Sequence, residues 1–144
     1  MILETTGDLW LDGIGVSTCL PYVRICSSLQ SKAVFGVLAT TENQVKGYIN
    51  SGLPIKNEEK YVGVNSIGEG KIWVTNINGP CENGDYITGS VVAGYGQLQD
   101  DDILHSYTVA KLTQNIDWDA VTETVNYEGN SYKKYLAGCA YHCG

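Results

Sequence analysis

Apolar and polar positions alternate along this chain in short bursts, and the bursts break at glycine, asparagine or aspartate. The clearest burst is Lys71-Ile72-Trp73-Val74-Thr75, whose period of two predicts a half-buried strand. Ala33-Val34-Phe35-Gly36-Val37-Leu38-Ala39 is continuous and apolar, and predicts a central strand buried on both faces. The glycine inside it marks a close backbone approach. Tyr61-Val62-Gly63-Val64, Tyr86-Ile87-Thr88 and Tyr107 to Leu112 predict further strands, with a last one over Tyr132 to Tyr141. Toward the start, Leu9-Trp10-Leu11 and Val23-Arg24-Ile25 predict two short strands, with Asp12-Gly13 as a tight turn.

The interruptions carry turn chemistry. Asn78-Gly79-Pro80, Glu82-Asn83-Gly84-Asp85 and Glu128-Gly129-Asn130 predict turns, the last opening a hairpin. Ser66-Ile67-Gly68-Glu69-Gly70 predicts a glycine-rich corner, and Gly94-Tyr95-Gly96 and Asp100-Asp101-Asp102 predict loops. Ile116 to Val121 has room for one helical turn. Residues 41–60 are polar, broken by Gly47, Gly52 and Pro54, and predict a surface excursion. Turn signals thus recur about every 8 to 12 residues, the spacing of a small barrel or sandwich.

Composition sharpens this picture. The chain has 17 Gly and 10 Tyr against one Phe and one Met, which favours strands and turns over helix. The expected fold is all-β: a small compact barrel or sandwich of short antiparallel strands, with long loops and little helix. Its 144 residues suit one domain, and residues 1–30 are read as the junction with an upstream segment.

The net charge of −7 opposes binding to nucleic acid and to anionic membranes. No stretch is apolar and long enough to span a bilayer, and the first residues lack the pattern of a signal peptide. The five cysteines, Cys19, Cys26, Cys81, Cys139 and Cys143, are odd in number and read as reduced, partly buried thiols.

From Val62 to Gly144 several phrases are distinctive. They are Gly68-Glu69-Gly70-Lys71-Ile72-Trp73-Val74-Thr75-Asn76-Ile77-Asn78-Gly79, Glu82-Asn83-Gly84-Asp85-Tyr86-Ile87-Thr88 and Gly94-Tyr95-Gly96-Gln97. Asp101-Asp102-Ile103-Leu104-His105-Ser106-Tyr107-Thr108-Val109-Ala110-Lys111 and the ending Cys139-Ala140-Tyr141-His142-Cys143-Gly144 complete the set. Together they resemble the intramolecular-chaperone auto-processing domains of bacteriophage tail spikes and of structural proteins of algal viruses. Upstream, Val34-Phe35-Gly36-Val37 also fits that family's pattern. The resemblance implies a C-terminal domain of a trimeric virion fibre, which holds three chains in register while a β-helical stalk folds. The implied partners are two further copies and the upstream stalk of its own chain, with the host surface as a further contact. Some members then cut the chain at the domain's N-terminal edge. The activity implied is at most that of a single-turnover self-cleaving peptidase.

Cleaving members place an aspartate just past the scissile bond and a glutamate three residues later. The early acids here are Glu4, Asp8 and Asp12, and Asp8 and Asp12 stand four residues apart with no Ser-Asp pair before them. They read either as turn residues or as a carboxylate pair, one acid activating water and the other protonating the leaving amine. Asp8 and Asp12 are therefore the candidate catalytic residues. The Asp100-Asp101-Asp102 run with His105 reads as a solvated loop, with a weak calcium site as the alternative. Cys139, His142 and Cys143 lie close in sequence, but a strand sends Cys139 and His142 to opposite faces, so they read as packing residues rather than zinc ligands. No metal and no cofactor is expected. The rival function is a non-cleaving module that binds host-surface glycan or protein through its Tyr and Trp side chains.

Overall fold

The computed structural model describes residues 1–12, 19–40 and 62–142, with the backbone alone described at 11, 12 and 40. The described residues form ten strands and no helix. These are β1 (Ile2–Asp12), β2 (Cys19–Ile25), β3 (Val34–Thr40), β4 (Gly63–Asn65) and β5 (Ile67–Thr75), then β6 (Tyr86–Gly89), β7 (Gly96–Leu98), β8 (Thr108–Leu112), β9 (Thr124–Tyr127) and β10 (Asn130–His142). The all-β expectation holds. Not every pairing is antiparallel, because β5 and β7 run parallel through Val74 and Gly96.

Two sheets divide the chain. The first has the order β2-β1-β3-β4. The second has the order β5-β7-β6-β8-β10-β9, with a further pairing of β5 to β10. That extra pairing joins the sheet to itself, so β5, β7, β6, β8 and β10 form a five-stranded barrel with β9 as an appendage on β10. Closure removes the open edges that would otherwise invite pairing with other chains. Lys134 to His142 of β10 pair continuously with Ile67 to Thr75 of β5, which makes this ladder the main seam of the barrel.

The barrel interior is filled by the inward residues of alternating strands, among them Ile72, Val74, Ile87, Leu112, Ala137 and Cys139, all fully or almost fully buried. The first sheet is fastened to the barrel at its own beginning. Ile2 is fully buried in the same core. Its amide donates to the Gly94 carbonyl at 2.8 Å, the Gly94 amide donates to Cys26 at 2.7 Å, and the Cys26 amide returns to Ile2 at 2.9 Å. Gly94 has φ +82°, and a side chain there would strike the Met1 sulfur.

Several sequence expectations change in detail. The strand over Ala33 to Ala39 is interior to its sheet, but only Gly36 and Val37 are buried, so it is not covered on both faces. Its glycine does mark a close approach: a Cβ at Gly36 would lie 2.5 Å from Val64 Cγ1. The expected corner at Ser66 to Gly70 is instead the start of β5. Gly68 takes φ +105° and Tyr141 pairs with it, so the long β10 ladder overrides local turn preference. Ile116 to Val121 forms successive turns, Ala120 to Asp117 and Val121 to Trp118, rather than a helix. The turn at Glu128-Gly129 is as read, with both residues at positive φ (48° and 79°), the pattern of a type I′ hairpin. The expected excursion over 41–60 and Gly13 of the Asp12-Gly13 turn lie outside the described residues.

Candidate functional site

β1 carries the early acids, and its ladder is irregular where they sit. From Thr5↔Val23 to Leu9↔Pro21 β1 advances four residues while β2 advances two. The surplus is the bulge Thr6-Gly7-Asp8, in which Gly7 takes φ +95° and the Asp8 amide donates to Thr6 Oγ1 at 3.3 Å. A bulge expels residues from the ladder and re-aims their side chains, a device common beside active sites. Asp8 is accordingly exposed, and its carboxylate meets no hydrogen-bond partner among the described residues. Asp12 ends β1 opposite Cys19, and its side chain lies outside the described residues.

The third early acid has a different environment. Glu4 is 5% exposed. Its Oε1 accepts from Arg24 Nε at 2.9 Å, across the β1–β2 pairing, and its Oε2 accepts from the Ser31 hydroxyl at 2.5 Å. The Ser31 bond, more than the Arg24 charge, holds the Glu4 carboxyl below the usual carboxylate range despite its burial. Beside it the Cys26 thiol is pushed up, chiefly by burial. An ionised carboxylate saturated by two donors is a weak base, and a protonated thiol is a poor nucleophile. Glu4, Arg24, Ser31 and Cys26 therefore lock β1, β2 and the loop before β3 together. The sequence alone did not mark this cluster, since Ile2, Leu3 and Glu4 are buried consecutively rather than alternately. The signal was an acid and a base of opposite strands, legible only once the register is known.

The outer part of the same sheet is apolar. Leu9, Tyr22, Ile25, Leu29 and Val62 are each 38% exposed or more. A groove of about 450 Å³ is lined by Trp10, Leu20, Pro21, Tyr22, Phe35 and Val64, with Cys19, Val23 and Val62 at its margins. β2 is an edge strand, and Pro21 within it is a residue that edge strands tolerate.

The aspartate run resolves into separate tasks. Asp101 pairs with His105 Nε2 at 2.9 and 3.0 Å and also accepts from Gln99 Nε2 at 2.9 Å. The His105 contact is the largest cause holding Asp101 below its ordinary value. Asp100 accepts from the Asn78 amide at 2.8 Å. These carboxylates brace a loop, and among the described residues no group of three metal-ligating side chains occurs. Cys139 is buried while His142 is exposed beside the Tyr86 ring, so the strand does separate them. Cys143 lies outside the described residues. None of Cys19, Cys26, Cys81 and Cys139 forms a disulfide, and burial pushes the Cys81 thiol up to about 12.

Comparison with family models, with curated proteins and with solved structures finds no match to this chain in any of the three.

Proposed function

We propose that this chain is a C-terminal assembly domain of a viral fibre, which associates as a homotrimer and acts as an intramolecular chaperone for the stalk that precedes it. The observation that carries the reading is the apolar groove of the β2-β1-β3-β4 sheet, in which Trp10, Leu20, Pro21, Phe35 and Val64 line a hollow beside the half-exposed Tyr22. Exposed apolar patches of this kind mark contact surfaces. The closed barrel supplies a rigid body, and the first sheet supplies the face through which copies meet.

The physical logic of such a domain is kinetic. A stalk built from contacts between chains folds slowly and is exposed to aggregation. Three compact end domains already in contact raise the effective concentration of the three stalks. The long resemblance from Val62 to Gly144 supports the same reading. Self-cleavage would release the domain once the stalk is folded, and Asp8, exposed in its bulge, is the acid best placed for it.

The test is the mass of the chain in solution by light scattering. The reading requires three times 15.6 kDa, about 47 kDa, at micromolar concentration. A wild-type monomer at that concentration overturns it. Tyr22→Ser and Val62→Ser, at exposed positions that line the groove, should dissociate the trimer without unfolding the subunit.

A further inference from the structure

An open cleft of about 510 Å³ runs between the outer face of the β5–β10 seam and the segment 117–123. Its volume falls within the range of roughly 300–1,000 Å³ typical of small-ligand sites. The floor is Trp73, with its antiparallel partner Leu136, which is 38% exposed. Lys71 stands two residues from Trp73, on the same face of β5. The Lys134 ammonium lies 5.0 Å from the centre of the indole and 3.3 Å from the Tyr95 hydroxyl. Tyr95 braces the indole edge-on, with centroids 6.1 Å apart. The opposite wall presents Asp117, Thr122 and Glu123.

That wall is held in place through its backbone carbonyls and the Trp118 indole. The Lys134 amide donates to the Glu123 carbonyl at 3.0 Å, Lys133 Nζ donates to the Trp118 carbonyl at 2.6 Å, and the Trp118 indole donates to Cys81 at 2.9 Å. The side chains of Lys71, Asp117, Thr122 and Glu123 meet no hydrogen-bond or ion-pair partner among the described residues. The cleft thus combines a braced aromatic ring, a cation at each end of the floor that carries it, and two carboxylates on the wall opposite.

Lysine only donates hydrogen bonds, and an ionised carboxylate only accepts them. A ligand that engages both walls must donate and accept along its edge and lay an apolar face on the indole. An anion would meet Asp117 and Glu123, and a cation would meet the two lysines. The geometry points to an uncharged saccharide as the ligand of this cleft. Its hydroxyls both donate and accept, and its C–H face lies on Trp73. Lys134, on its flexible stem, leaves the ring for a sugar hydroxyl. This inference is independent of the assembly reading, whose groove lies on the other sheet.

The experiment is a titration of the full chain, followed by backbone and indole amide shifts in NMR. The probes are maltotriose, cellotriose and triacetylchitotriose, with trigalacturonic acid as the charged comparison. At least one neutral probe should shift Lys71, the Trp73 indole and Glu123 together, with a Kd on the order of 1 mM. Glu123→Gln, on an exposed segment, and Trp73→Leu should each weaken it by about tenfold. Absence of shifts at those residues with all three neutral probes overturns the inference. So does equal binding by Glu123→Gln, whose fold is checked by the same spectrum, or binding of trigalacturonic acid alone.

Discussion

The Tyr141 hydroxyl bridges both backbone groups of Lys71, donating to its carbonyl at 2.6 Å and accepting from its amide at 2.9 Å. The ring reaches that position because Gly70 beside it has no side chain; a Cβ there would clash with the hydroxyl and lie 2.8 Å from two ring carbons. Tyr141 is 5% exposed, and burial pushes its phenol up, so it stays protonated. One residue thereby fastens the β5–β10 seam that closes the barrel.

Tyr141→Phe keeps the ring and deletes both bonds. It should cost about 1–3 kcal/mol, seen as a fall in Tm of about 2–4 °C per kcal/mol for a chain of this size. Gly70→Ala should cost at least as much, because a buried aromatic ring cannot move aside cheaply. An unchanged Tm in both variants would mean that the seam is held elsewhere.

Glu4 makes stability depend on pH. Its carboxyl lies below the usual range in the folded chain, with the Ser31 hydrogen bond as the largest cause. A depressed folded value stabilises above the unfolded value of about 4.3, and the contribution fades as pH falls through the folded value. Glu4→Gln should therefore be less stable than wild type at neutral pH, by about 1–3 kcal/mol. The two should converge as the solution is acidified below about pH 4. Denaturant melts across that range would show the gap closing; a constant gap would remove the charge from the account.

The turn Glu82-Asn83-Gly84-Asp85 is held at both ends. The Asp85 amide donates to the Glu82 carbonyl at 3.1 Å, and the Glu82 amide donates to Asp85 Oδ2 at 2.8 Å. Gly84 takes φ +95° with open space around its Cα, so a side chain there is strained by conformation alone. Gly84→Val should cost about 1–3 kcal/mol, whereas Gly84→Asn should cost much less because Asn tolerates this region. Equal melting temperatures for Val and Asn would contradict the assignment.

Most strands and turns of the barrel were legible because their information is local. Ile72 and Val74 alternate with Trp73, and the glycines of Asn83-Gly84 and Glu128-Gly129 mark the positive φ of their turns. What could not be read was long-range. Closure by β5 and β10 depends on pairing residues some seventy positions apart, as Tyr141 and Lys71 are. β7 is three residues long and leaves no periodic trace. The Glu4 cluster draws on Arg24 and Ser31, which are adjacent only after β1 pairs with β2. The cleft at Trp73 needs the 117–123 segment folded over it, and turns of that kind carry no hydrophobic period.

Cleavage at the N-terminal edge would need an acid that is accessible and not committed to another partner. Glu4 fails both conditions, being buried and held by Arg24 and Ser31. Asp8 meets both, and Gly7 before it leaves the backbone open to approach. Peptide hydrolysis needs a base for water and an acid for the leaving amine. A second carboxylate from a neighbouring subunit would supply the other role and make cutting wait for assembly, so that an unassembled chain keeps its chaperone. The measurement is made on a longer chain that carries the stalk, followed by gel over hours. Asp8→Asn should slow the cut by about 10²–10⁴-fold, the usual worth of a positioned acid or base. The mass of the proposed trimer should stay unchanged, because Asp8 is exposed and its side chain meets no hydrogen-bond partner among the described residues. Cutting at the wild-type rate in Asp8→Asn would move the chemistry to another residue. An uncut wild-type trimer would leave this domain the assembly role alone.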